Sequence, residues 1–180
     1  TEPPVVYRNP LNGEVLDEPY TGRIFAVTIS NIRDALPHYG TMEADILMEM
    51  WVNGSIIRDL ALYTDVSKAE AIGSVRSDRL MFNQIVKMYD AVLADAAGDD
   101  RVLNDARNTG VNRMTIDTGD ATDYSYRAKD RVFTFKPESK YEHTLFAKGA
   151  GLLDFAQKKG FSVTQPADKE YNLRFTEDGP

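Results

Sequence analysis

The sequence predicts a mixed α/β domain (α+β in detail), with a central mixed sheet flanked by helices. Three observations carry this. Residues 23–30, Arg-Ile-Phe-Ala-Val-Thr-Ile-Ser, form an apolar, β-branched run suited to a strand buried on both faces. Asn53-Gly54 lies between two apolar runs, which is a strong hairpin signal. Residues 91–116 then alternate short strand, helix and short strand, the pattern of a parallel α/β unit. With 180 residues, the chain is long enough to bury a core without staples, and it has no cysteine to make one. The expected organisation is an arm over 1–22, one α/β domain over 23–175, and the start of a linker to a further domain over 176–180.

Each element follows from local chemistry. Residues 1–22 hold Pro3, Pro4, Pro10, Gly13, Pro19 and Gly22, so an extended arm on the domain surface is expected there. The polar stretch 30–40 follows the carboxyl end of the first strand, where open α/β sheets place ligands. Residues 42–45 suit a helical turn, 46–52 a second strand and 55–63 a third. Glu49 and Arg58 are charges inside these apolar runs, and cross-strand pairing is the simplest expectation for them. Residues 79–90 predict a helix with Met81, Phe82, Ile85, Val86 and Tyr89 on one face, and Ser77 is placed to be its N-cap. A helix ends at Gly110, and 112–116 suits a strand. Short strands are expected over 124–127, 132–135 and 161–163. A helix is expected over 145–159, with Lys158 and Lys159 at its negative end, and an edge strand over 171–175.

The net charge of −7 argues against a nucleic-acid partner, because phosphate neutralisation needs a basic face. No apolar run approaches the roughly 20 residues of a membrane span. There is no Walker loop, no G-x-G-x-x-G and no G-x-S-x-G elbow, so no cofactor is expected. Two histidines without cysteine do not make a typical zinc site, and the Asp117, Asp120, Asp123 spacing does not fit a calcium loop; no metal is expected.

What remains is a set of polar residues at strand ends and helix starts: Asn31, Glu49, Arg58, Arg76, Ser77, Arg79, Arg127 and His143. Arg76 and Arg79 flank the positive end of a helix dipole, the unfavourable end for cations. A bound carboxylate or phosphate would meet free N–H groups, the dipole and guanidinium forks together. Either these residues line an anion pocket or the arginines form a structural network with Glu49, Asp45 or Asp78; both readings stand on the residues alone. His143 and Glu49 are the candidates for acid/base chemistry if the domain is a hydrolase. A pure protein-interaction module is the third reading.

Several of these segments together resemble the YerB-like bacterial lipoproteins. Asn9-Pro10-Leu11-Asn12-Gly13 is similar to that family's N-P-L-T-G start, and Ala26-Val27-Thr28-Ile29-Ser30-Asn31 to its A-V-M-I-D-N strand end. Glu43-Ala44-Asp45-Ile46 is similar to Q-A-D-I, Gly73-Ser74-Val75-Arg76-Ser77-Asp78-Arg79 to G-P-V-R-S-A-R, and His143-Thr144-Leu145-Phe146 to H-N-L-Y. The arginine element is the most specific of these, and the matches run in order from about residue 8 to 160. Ser30 stands where the family usually has Asp, Ser74 for Pro, Asp78 for Ala and Thr144 for Asn, so a site using the family's Asp or Asn is altered here. The resemblance implies an exported protein on the outer face of the membrane, anchored by a lipid on a cysteine that this chain does not contain. It also implies a second domain beyond about residue 175. It supplies no activity; a partner would be an anionic small molecule or a component of the cell envelope.

Overall fold

A computed structural model describes residues 6–129 and 140–166. Tyr7–Arg8 (β1) and Val15–Leu16 (β2) form a small antiparallel hairpin. The expected surface arm is therefore a folded hairpin here. Its tip turns inward, because Asn9 accepts N–H donations from Leu11 and Asn12, and Leu11 is buried against the core.

The main sheet has five strands. They are Phe25–Ser30 (β3), Ile46–Asn53 (β4), Ile56–Tyr63 (β5), Val92–Asp95 (β7) and Asn112–Thr115 (β8), in the order β4-β5-β3-β7-β8. A short strand, Ile72–Gly73 (β6), precedes β7 in the chain and lies outside this sheet. The β4, β5, β3 side is antiparallel, and the β3, β7, β8 side is parallel. The sheet is thus mixed, as the hairpin and crossover signals predict. Every residue of β3 is buried, as a strand covered on both faces must be.

One sheet face is covered by Leu80–Tyr89 (α1), which packs Phe82 and Val86 onto Ile24, Ala26, Leu60, Leu62 and Leu93. Asp100–Thr109 (α2) makes the crossover from β7 to β8; Asp99 caps it and Gly110 ends it at φ 70°. The other face is covered by Gly149–Lys158 (α3), whose Leu152, Phe155 and Ala156 meet Phe25, Val27, Ala61 and Val92. Gly149 is required for this approach: a Cβ there would lie 2.1 Å from the Ala69 carbonyl oxygen. A second, three-stranded sheet places Leu145–Ala147 (β10) between β6 and Ser125–Arg127 (β9).

Four expectations are corrected. Residues 145–147 are a strand, and the last helix starts at Gly149; three apolar residues fit either period, and antiparallel pairing with β6 and β9 decides it. Residues 161–163 form no strand; Thr164 makes an isolated bridge to Gly22. Residues 42–45 turn without forming a helix. Glu49 and Arg58 do not pair, because the register sets Glu49 opposite Asp59 and Arg58 opposite Met50. The expected strands at 132–135 and 171–175 lie outside the described residues.

Candidate functional site: an arginine cluster and an acidic cluster

The turn from Gly73 to Arg79 runs across the carboxyl end of β3. Ser30 N–H donates to the Ser74 carbonyl at 2.9 Å, and Arg76 N–H to the Thr28 carbonyl at 3.0 Å. Ala96 N–H, just beyond β7, donates to the Arg76 carbonyl at 3.0 Å. The segment is therefore wedged between two strand ends. Ser74 donates its hydroxyl to the His143 carbonyl, and Val75 joins the core.

Ser77 is not the N-cap. Arg79 holds that position without a side-chain cap, and the Asp78 carboxylate accepts the Arg79 N–H at 2.6 Å. The Asp78 carboxylate, ionised above about pH 6, makes a charge-assisted bond to this first free N–H. Ser77 contributes its carbonyl instead, which accepts from Arg58 Nη1. Arg58 reaches it from β5 and is only 3% exposed.

Arg58, Arg76 and Arg79 thus converge. Burial, and then the charges of Arg79 and Arg76, lower the Arg58 pKa to about 9, against partial relief from Asp78. Arg76 is lowered by burial first; Glu142 opposes this, and Arg79 and Arg127 add to it. The polar contacts of the three are with backbone carbonyls: Arg58 with Ser77, Arg76 with Glu142 at 2.8 Å, and Arg79 with Asp78 at 2.6 Å. Among the described residues no carboxylate forms an ion pair with any of them, and Arg58 Nε donates to nothing.

Arg127 differs. It pairs with Asp117, donates to the Tyr141 carbonyl at 2.7 Å, and lies 4.0 Å over the Tyr141 ring. It borders the cluster through its field on Arg76, with its own charge already balanced. His143 is buried, with Glu142 Oε1 3.4 Å from Nε2. Burial and then the Arg76 charge lower its pKa, which favours neutral imidazole.

Asn31 and Glu49 belong elsewhere. Arg58 and Asp59 are neighbours on β5 and so point to opposite sheet faces. Glu49 shares the Asp59 face. Asn31 Nδ2 bridges the two carboxylates, donating to Glu49 at 2.7 Å and to Asp59 at 2.9 Å. His38 approaches Asp59 at 4.0 Å and places Nε2 3.0 Å from the Ser30 carbonyl. Burial raises the Asp59 pKa; Asn31 and His38 oppose this, and Glu49 adds to it. The residues that one of the two sequence readings gathers in a single pocket are thus divided, with Arg58 and the pair Asn31 and Glu49 on opposite faces of β5. The charged groups acting on His143 are Arg76, Glu142, Asp34 and Lys140, so the structure does not pair it with Glu49 as acid and base.

A third charged group joins Asp78 to two residues that the sequence reading does not single out, Asp95 and Arg113. Asp78 and Asp95 are fully buried and share Arg113, which reaches Asp95 Oδ1 at 2.5 Å and Asp78 Oδ2 at 3.6 Å. Burial pushes Asp78 up to about 6 and Asp95 well above the usual range. Asp95 closing an otherwise apolar strand, and Asp59 beside Arg58 inside another, were the available signals for these missed residues.

This two-sided sheet with an arginine turn at its strand ends defines an α+β domain of a recognisable kind. Residues 11–162 match the family described as "Protein of unknown function (DUF3048) N-terminal domain", and the chain belongs to that family. It is 26% identical over 182 residues to "Putative lipoprotein YerB" of Bacillus subtilis (strain 168), covering 92% of this chain and 51% of that protein. The chain thus spans about half the length of this curated relative. The crystal structure of YerB from the same organism superposes with a TM-score of 0.77 at 23% identity, covering 94% of this chain and 55% of that one, which shows a shared fold.

Proposed function

We propose that the domain is a binding module of a cell-envelope lipoprotein, and that the Arg58, Arg76 and Arg79 cluster receives an anionic group, a carboxylate or a phosphate. The carrying observation is a guanidinium only 3% exposed, beside two others, with no carboxylate paired to any of the three among the described residues. A guanidinium with its pKa near 9 is still charged at neutral pH, so an external anion is the direct way to balance it. The N-terminus of α1 adds its positive end, and Ser77 and Arg127 border the site. An anchored location on the outer face of the membrane rests on the relative's name as a lipoprotein.

Calorimetric titration with inorganic phosphate and with citrate tests the reading. The parent is expected to give a saturable isotherm, and Arg76→Ala and Arg79→Ala to weaken it at least about tenfold, the loss of one charge-assisted hydrogen bond. Circular dichroism should show both variants folded. Equal binding by folded variants, or no binding of either anion by the parent, would overturn the proposal.

A further inference from the structure

We propose a second site, on the opposite face of β5, where Glu49, opposed across the ladder to the buried Asp59, and the ring of Trp51 take a primary ammonium group carried on an apolar stem. The inference stands independently of the anion reading. Glu49 and Asp59 are directly opposed across the ladder, an arrangement that is destabilising for like charges. Nature's usual remedy, a lysine or arginine between them, is missing among the described residues. One amide serves both carboxylates, with each of the two Asn31 N–H groups spent on one of them. Asp59 is 1% exposed, and its Oδ2 accepts no hydrogen bond; His38 stands 4.0 Å away and balances it only when protonated.

Beside Glu49 lies a hollow of about 320 Å³ lined by Glu49, Trp51, Ser55 and Ile57. Trp51 is two residues along β4 and so shares the Glu49 face. It is 72% exposed, yet its indole N–H is fixed to the Gly54 carbonyl, so its position is held in advance of any ligand. A cation against a held indole ring gains cation–π attraction, and one beside Glu49 gains a charge-assisted hydrogen bond. Trp51 and Ile57 give the stem an apolar wall. The described residues offer no group of three His, Asp or Glu side chains spaced for a metal ion, so the donor set suits an organic cation.

Trp51 is the chain's only tryptophan, so indole emission excited beyond the absorption of the nine tyrosines reports on this hollow. The probe is n-butylammonium chloride, titrated against sodium chloride at matched ionic strength. A saturable change in emission is expected with butylammonium only. Glu49→Gln should weaken it by about tenfold to a hundredfold, the usual range for losing a charged hydrogen-bond partner, with the melting temperature unchanged. Asp59→Asn should weaken it less, since Asp59 lies outside the lining of the hollow and acts only through its charge. A linear, unsaturable response, an equal response to sodium chloride, or an unaltered titration in folded Glu49→Gln would overturn the site.

Discussion

Two charge-imbalanced groups lie one residue apart along the turn that leads into α1, and they resolve their imbalance in opposite ways. At Asp78, two buried carboxylates share the single guanidinium of Arg113. Burial raises the pKa of both acids, so a proton from water can relieve the excess negative charge, at Asp78 below about pH 6. At Arg58, Arg76 and Arg79, three guanidinium groups have no carboxylate in ion-pair contact among the described residues. They cannot use the same remedy near neutral pH, because even the most perturbed of them holds its proton to about pH 9. A carboxylate cluster can be closed by a proton from water; a guanidinium cluster must be closed by an anion. On the proposed reading, titratability, more than burial or charge count, separates the structural cluster from the anion site.

The largest expected effect that breaks this comparison is Arg113→Met. It strips the one cation from two buried carboxylates and should cost about 3–5 kcal/mol at neutral pH, measured by urea unfolding. The loss should shrink in acid, where both carboxyls are protonated.

Asp78→Asn comes next. The folded protein holds the Asp78 proton to about pH 6, while the unfolded chain releases it near 3.8. The stabilising effect of that proton is complete below the unfolded value and is lost as pH rises to about 6. Two pH units at about 1.4 kcal/mol each make this about 3 kcal/mol. The variant keeps an oxygen for the Arg79 N–H and should remove most of that fall, read from unfolding curves at pH 4, 5, 6 and 7.

Arg58→Met probes the other group. Because Arg58 has no ionic partner to orphan, an apolar side chain of similar length should change stability by only about 1 kcal/mol, in either direction. Phosphate binding should nevertheless fall at least about tenfold. A destabilisation as large as that of Arg113→Met would show that Arg58 belongs to a structural network. The smallest effect belongs to Glu49→Gln, a surface change expected to stay within about 0.5 kcal/mol in stability and to leave phosphate binding untouched.

The central sheet was legible because its signals are local. An apolar run, an Asn-Gly turn and a Gly-terminated helix need no knowledge of the rest of the chain. The ambiguous pieces were those whose state is decided by pairing: Leu145–Ala147 is a strand because β6 and β9 flank it. The arginines of the turn were legible as a charge anomaly at a helix start. Their separation from Asn31 and Glu49 was not, because it depends on the β4–β5 register, and a shift of one residue would have exchanged the faces of Arg58 and Asp59. Asp78 does relieve Arg58 in part through its charge, but its ion pair is with Arg113, on a strand 35 positions away in the chain, which no local signal gives.

The most direct measurement follows the melting temperature of the parent and of Arg58→Met as inorganic phosphate is raised at constant ionic strength and pH 7. Binding to the native state alone raises the melting temperature, and the rise continues logarithmically with phosphate once its concentration exceeds Kd. If the arginine cluster is an anion site, the parent should climb steadily while the variant stays flat from a similar starting temperature. Parallel curves, or a parent indifferent to phosphate and citrate alike, would contradict it.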